Sequence, residues 1–183
     1  MAKSEKADTR PVVLLTGASG GFGCEFARQL EERGYRLILH GRDRPRMLMT
    51  LHNLRTPDSH ICMYADISVD AEREAFIDKV KEYPGLYGLV NNAGFGIWGA
   101  FEQREIKPQM GVLLTDLVAP VDIAHALLPT LRRNMGFMIN VSLLSCVCRD
   151  ETGRLTALAF TAAALTGFAL IMSYLPGTSA TRA

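Results

Sequence analysis

Cysteine is scarce, at four residues in 183, and neither sign of charge predominates: twenty Lys and Arg stand against nineteen Asp and Glu, a net charge of +1. The first shortage excludes a disulfide-stapled scaffold. The second removes the field that a general nucleic-acid binder needs, so no nucleic-acid partner is expected. The first ten residues hold no recognisable secretory leader and read as a polar, disordered arm, so the thiols are expected to be reduced and the protein cytoplasmic. Cys146 and Cys148, with His52, His60 and Cys62 far upstream, lack the spacing of a metal site and read as scattered thiols. What is present, 48% hydrophobic and 21% charged residues, is the composition of a globular chain that can enclose a core. No linker, repeat or low-complexity tract interrupts residues 11–183, which are read as one domain.

Strand and helix alternate along it. Pro11 to Leu15 is a continuous apolar run that ends in Thr16 and a glycine cluster, as a strand buried on both faces of a parallel sheet does. Residues 22–33 carry Phe22, Phe26, Ala27 and Leu30 on one helical face, and Gly34 stands just past the last turn. Further strands are expected over 35–40, 61–65, 86–90 and 136–141, and helices over 43–54 (Pro45 in its first turn), 69–82 and 116–133. Five strands separated by helices predict an α/β fold, a doubly wound parallel sheet of Rossmann type.

Thr16-Gly17-Ala18-Ser19-Gly20-Gly21-Phe22-Gly23 lies between the first strand and the first helix. Glycines there permit a tight turn and let backbone N–H groups approach an anion, while the helix N-terminus adds unpaired N–H groups and the positive end of its dipole. Gly17, Ser19, Gly21, Phe22 and Gly23 are the candidates for holding a pyrophosphate, with Gly23 allowing close packing of helix on strand. The plain alternative is a glycine turn without a ligand, which the strand-before, helix-after setting disfavours.

These residues resemble the first fingerprint of the short-chain dehydrogenase/reductases, Thr-Gly-x-x-x-Gly-x-Gly, matched by Thr16, Gly17, Gly21 and Gly23. The second fingerprint, Asn-Asn-Ala-Gly after the fourth strand, is present as Asn91-Asn92-Ala93-Gly94, and Asp66-Ile67 match the pair that holds the adenine ring. The resemblance runs over about residues 11–145 and implies a nicotinamide dinucleotide bound also by Asn92, Ala93 and Gly94, and an oxidoreductase acting on a carbonyl/alcohol pair.

Charge bears on which dinucleotide. An NAD site of this design ends the second strand in a carboxylate that accepts from the ribose 2′-hydroxyl. Here the sequence is His40-Gly41-Arg42, followed by Arg44 and Arg46, while Asp43 comes one place late and reads as a helix cap. Arg42 is suited to pair bidentately with a 2′-phosphate, which favours NADP over NAD; the other reading makes these arginines a solvated helix start.

The catalytic half departs from the family. The resemblance calls for a Tyr-x-x-x-Lys pair, a serine after the fifth strand and an asparagine on the preceding helix. None of the five tyrosines has a lysine four residues on, and the last lysine is Lys107. Aligned on Ala163-Ala164-Leu165, the tyrosine position is Leu158 and the lysine position Ala162; Leu143 follows Ser142 where the active serine belongs, and Asp116 stands for the asparagine. Ser142 and Ser145 remain nearby. No residue is therefore assigned as catalytic, because Leu and Ala transfer no protons. Too few residues separate Phe168 from Leu175-Pro176-Gly177 for a helix plus strand of the family's usual size, so an abbreviated C-terminal part is expected. Two functions stay open: an NADP-dependent oxidoreductase with impaired or lost catalysis, and a non-catalytic dinucleotide-binding or protein-interaction module.

The uncharged stretch 155–175 is long enough to cross a bilayer but is diluted by Thr and Ser; it reads as a buried helix or one packed on a second copy. His125 is read as a hydrogen-bonded structural residue. Phe95, Ile97, Trp98 and Phe101 either line an apolar substrate cleft or cover the end of the sheet.

Overall fold

The structure is a computed structural model, and it describes residues 8–97 and 103–141. Five parallel strands form one sheet in the order β3-β2-β1-β4-β5: β1 (Val12–Leu15), β2 (Arg36–Gly41), β3 (Ile61–Tyr64), β4 (Leu86–Asn91) and β5 (Phe137–Asn140). The helices between them are α1 (Gly21–Glu32), α2 (Arg44–His52), α3 (Asp70–Lys81), α4 (Ile106–Leu113) and α5 (Ala119–Arg133). The expected doubly wound sheet is thus present, each strand within a residue or two of its predicted limits.

Alternation along the central strands supplies one core to each face. Val13, Leu15, Leu37 and Leu39 pack with Ala27 and Leu30 of α1 and Met47 of α2. Leu14, Ile38 and Leu89 turn the other way, onto Phe76, Ile77 and Val80 of α3 and Ile123, Leu127 and Leu131 of α5. All four residues of β1 are buried, as its unbroken apolar run requires. Phe22, expected on the packed face of α1, is instead 70% exposed, because it lies in the first turn, beyond the reach of the sheet.

The long helix begins ten residues before its predicted start. Pro108 falls in the first turn of α4, where its missing N–H would have no intrahelical acceptor, so it opens the helix rather than breaking it. Between α4 and α5 the chain makes one wide turn, Leu114–Val118, in which the Ala119 N–H bonds the Leu114 carbonyl five residues back. Pro120 explains the widening: it has no N–H for the Asp116 carbonyl, and the backbone relaxes to a π-type turn there. Ile106–Arg133 has the length of a membrane span and holds an 18-residue window of mean hydropathy 1.6, yet its Ala119–Ala124–Leu127 face lies in the core. His125, on the opposite side of that helix, is exposed and makes no hydrogen bond among the described residues, so its expected structural role is not met.

Helix ends follow the residues supplied. Asp43 caps α2 by accepting from the Arg46 N–H at 3.0 Å. Gly34 (φ +86°) ends α1: its N–H bonds Glu31 O at 2.8 Å, and Tyr35 N–H bonds Leu30 O at 3.2 Å. At the end of α5 the same turn places Met135 at φ 52°, with Gly136 one residue later. Gly136 cannot move up, since a side chain at 136 would strike the Tyr87 carbonyl.

Asp8 pairs with Arg10 at 2.6 Å and approaches Arg36 at 3.7 Å, so these arm residues lie against β2; the rest of the arm is outside the described residues. So are the stretch 155–175 and Cys146 and Cys148. Cys24 and Cys62 are half-buried free thiols, and no cluster of metal-ligating side chains occurs among the described residues.

A buried carboxylate joins α1 to the start of β3. Glu31 accepts from the N–H groups of Arg55 and Thr56 (both 2.8 Å), the Thr56 hydroxyl (2.9 Å) and His60 Nε2 (3.0 Å). His60 Nδ1 accepts from the Leu37 N–H at 3.1 Å, which leaves the proton on Nε2 facing Glu31. Burial would raise the Glu31 carboxyl, but these donors outweigh it and hold the group down at about 2. Its stabilising contribution is therefore present above the ordinary carboxylate value and lost as pH falls from about 4.5 towards 2. Glu31→Ala, which strands four donors, should lower the unfolding free energy by about 3 kcal/mol at neutral pH and flatten this acid limb, as denaturant titrations at several pH values would measure.

Candidate dinucleotide site

The C-terminal ends of β1 and β4 diverge at the point where strand order reverses, and an open cleft of about 480 Å³ lies there. Gly17, Ser19, Gly21, Phe22 and Gly23 line its middle, Arg42, Asp66 and Ile67 one end, and Asn92, Ala93, Gly94, Thr115, Asp116 and Asn140 the other. Every residue proposed from the sequence for the dinucleotide is thus on the wall of one cleft.

The two glycine-bearing segments are tied together directly. The Thr16 hydroxyl accepts from the N–H groups of Asn92 and Ala93, both at 3.0 Å. The Asn92 amide returns two bonds, to the carbonyls of Thr16 (3.0 Å) and Gly17 (3.1 Å). Gly17 has φ +66°, and a Cβ on it would stand 2.6 Å from Ala93 Cα. A Cβ on Gly23 would collide with the Gly17 carbonyl. These two glycines are required by the protein itself. Gly21 is not: a Cβ there would meet nothing within 4 Å, only the cleft. The turn therefore leaves bare backbone at the positive end of α1, a cradle suited to a pyrophosphate.

At the outer end, Asp66 accepts from the Ser68 hydroxyl (2.6 Å) and N–H (3.0 Å) and from Arg42 Nη1 (3.0 Å). Burial works against its charge, but the bonds from Ser68 and Arg42 hold the carboxyl below its ordinary value. The Arg42 guanidinium also sits 5.6 Å above the centre of the Phe95 ring. Arg46 pairs with Asp43 at 3.4 Å, and Arg44 lies on the Tyr64 ring, so Arg42 is the arginine placed between the adenine-side residues and the cleft mouth. His40, beneath this end, donates from Nε2 to the Ala65 carbonyl; burial pushes it down to about 4, and it remains neutral.

Sequence reasoning missed part of the inner end. Asn91 Nδ2 donates to Asn140 Oδ1 at 2.9 Å, while Asn91 Oδ1 and the Thr115 hydroxyl are buried and have no partner among the described residues. Asp116 accepts from the Phe95 N–H at 3.1 Å, and burial raises its carboxyl to about 6. Thr115 carried no signal, because its place depends on the wide turn that Pro120 imposes. Phe95 lines the cleft and Ile97 does not. Trp98, Phe101, Leu143, Leu158, Ala162, Ser142 and Ser145 lie outside the described residues.

Comparisons with known proteins agree with this geometry. The family model for short chain dehydrogenases matches residues 11–173. The mitochondrial D-beta-hydroxybutyrate dehydrogenase of Bos taurus is 32% identical over 140 residues, which are 71% of this chain and 40% of that protein. The 17-beta-hydroxysteroid dehydrogenase type 6 of Bos taurus is 34% identical over 134 residues, 71% of this chain and 42% of that protein. The chain therefore spans about two-fifths of the length of these curated relatives. Among solved structures, a metagenomic short-chain oxidoreductase in complex with NADP has 26% identity and a TM-score of 0.76, covering 88% of this chain and 74% of that one. A short-chain dehydrogenase from Sphingobium yanoikuyae in complex with NADPH has 27% identity and the same TM-score, 0.76, covering 89% and 66%. With both fingerprints placed on one cleft and the family match running over most of its length, the chain belongs to the short-chain dehydrogenase/reductase family.

Proposed function

We propose that this chain binds NADP(H) in the cleft between β1 and β4 and carries out no ordinary short-chain dehydrogenase turnover. The observation that carries the binding half is Gly21, a glycine on the cleft wall at which an added Cβ would meet no protein atom within 4 Å. The orphaned Asn91 and Thr115 oxygens at the inner end are further polar groups that a ligand would satisfy. When bound, the dinucleotide would supply or accept a hydride. The chain's own part is to seat its pyrophosphate on the α1 N-terminus, its adenine beside Asp66 and Ile67, and its 2′-phosphate against Arg42. To do so, Arg42 shares its guanidinium between the phosphate and Asp66, which its five N–H donors allow.

The catalytic half of the reading rests on residue types. Leu158, Ala162 and Leu143 take the places of the proton donor, its lysine and the serine that the family uses. A phenol of ordinary pKa about 10 needs a cationic neighbour to move protons near neutrality, and this chain offers neither phenol nor lysine at those positions. A carbonyl or alcohol substrate would find no group to protonate or deprotonate its oxygen there. The protein then acts as a dinucleotide-binding module of an oxidoreductase family, cytoplasmic and free to form homo-oligomers.

Gly21→Val should leave thermal stability nearly unchanged and weaken NADPH binding at least tenfold, since no protein atom opposes the new side chain; calorimetric titration beside a melting curve separates the two effects. A loss of stability with unchanged affinity would refute the cradle. Arg42→Ala should cost about 1.5–3 kcal/mol in NADPH binding and leave NADH almost unaffected, and an equal loss for both would remove the 2′-phosphate assignment. With the purified protein, NADPH oxidation across a panel of aldehydes and ketones should stay at the rate without protein; sustained turnover that co-purifies with the chain would overturn the catalytic-loss reading.

A further inference from the structure

We propose that Asp116 makes the inner end of the cleft select the oxidised nicotinamide dinucleotide, whose ring is cationic, over the reduced one, whose ring is neutral. The inference rests on the dinucleotide reading above and concerns which redox state that same site holds.

Three features of the structure lead to it. First, the wide turn Leu114–Val118 sets the Asp116 carboxyl against the segment that follows Asn92 and Ala93. Its Oδ1 accepts from the Phe95 N–H at 3.1 Å, and a Cβ on Gly94 would lie 3.3 Å from both Oδ1 and the carboxyl carbon. With the pyrophosphate over Gly21 and the adenine at Asp66, this inner end is where the nicotinamide half must go.

Second, the other charged residues on the cleft wall are elsewhere and already matched. Arg42 bonds Asp66 at 3.0 Å, and Arg46 pairs with Asp43 at 3.4 Å, all at the outer end. The elements packed on the wide turn bring no counter-ion. Arg104, Glu105 and Lys107 flank or begin α4; Asp122, His125, Arg132 and Arg133 belong to α5; Tyr87 is the titratable residue of β4. None of them forms an ion pair or hydrogen bond with Asp116 among the described residues, and Asp122 is held by Arg73 at 2.8 Å.

Third, Asp116 is half-buried and has one hydrogen bond to a backbone donor, and burial outweighs that bond to raise its carboxyl to about 6. It is therefore ionised at neutral pH, but uncomfortably so, and a cationic ring beside it relieves the strain on its charge. Linkage makes the effect reciprocal. A ligand that prefers the carboxylate lowers the pKa of Asp116, and its affinity rises with pH through the same range. The neutral reduced ring gains nothing from the charge.

The test measures dissociation constants for NADP+ and NADPH separately, by calorimetry, at a series of values from about pH 5 to pH 8, for the wild type and for Asp116→Asn. The quantity of interest is the ratio of the NADPH constant to the NADP+ constant. The 2′-phosphate titrates in both ligands and cancels from it. For the wild type the ratio should rise about tenfold across the series, the size expected for one partly screened unit charge near the ring. For Asp116→Asn, which keeps an acceptor for the Phe95 N–H, the ratio should stay flat near the acidic value. A flat wild-type ratio overturns the proposal, and it does so even if the variant fails to fold. A ratio that rises equally in the variant also overturns it, because another group would then be titrating. If neither ligand binds at any pH, the dinucleotide reading fails and this inference falls with it; binding of both with one constant ratio defeats the inference alone.

Discussion

The Thr16 hydroxyl and the Asn92 amide close a ring of hydrogen bonds between the ends of β1 and β4, and the site is organised around that ring. Two N–H groups of the Asn92–Ala93 segment converge on Thr16 Oγ1, and the Asn92 side chain holds the carbonyls of Thr16 and Gly17. Thr16 is buried, so these groups have no solvent to turn to and each depends on the other. The bonds fix where the glycine turn leaves the sheet. They press Gly17 against Ala93, so closely that only a glycine fits, and thereby aim the first turn of α1 at the cleft. The junction joins segments more than seventy residues apart in the chain and sets where the cleft opens between β1 and β4.

The fold was legible because its signals are local. An apolar run, a capping Asp43, a terminating Gly34 and a glycine cluster each act within a few residues, and the structure shows each in its expected place. The site was legible where backbone geometry makes it, at Gly17, Gly21 and Gly23. It was less legible where side chains from distant segments meet. Arg42 could be picked out as a candidate for a phosphate, but not its bond to Asp66 or its seat on Phe95, since neither neighbour is near it in the chain. Thr115 and the true start of the long helix were hidden for another reason. The expected helix 116–133 runs through Pro120 without a break and begins too late, because a proline in a first turn, such as Pro108, and the wide turn at Pro120 show themselves only in space.

Binding and chemistry are separable in this architecture because different parts of the chain supply them. The cradle consists largely of backbone N–H groups, a helix end and hydrogen bonds among β1, β2 and β4, all before Val141. The family's tyrosine, lysine and serine positions fall later in the chain, whereas its asparagine position, Asp116, lies on the cleft wall itself. The cradle is kept under the constraint of folding, since Gly17, Gly23, Thr16 and Asn92 also tie the ends of β1 and β4 together. Retention of a fingerprint is in this sense partly a statement about stability.

At the end of α5 two demands fall one residue apart and the sequence has one glycine to meet them. The left-handed turn at Met135 calls for a residue without a Cβ, and so does the contact of position 136 with the Tyr87 carbonyl. The contact is non-negotiable, because it lets β5 enter beside β4; the turn is merely uncomfortable, at roughly 1–2 kcal/mol for an L-residue. Selection has resolved the conflict in favour of the strand junction and left an exposed methionine in the wrong half of conformational space. That position is remote from the cleft, so it is a reserve: a place where this protein, or anyone redesigning it, can gain tolerance for costlier changes in the site without touching the site itself.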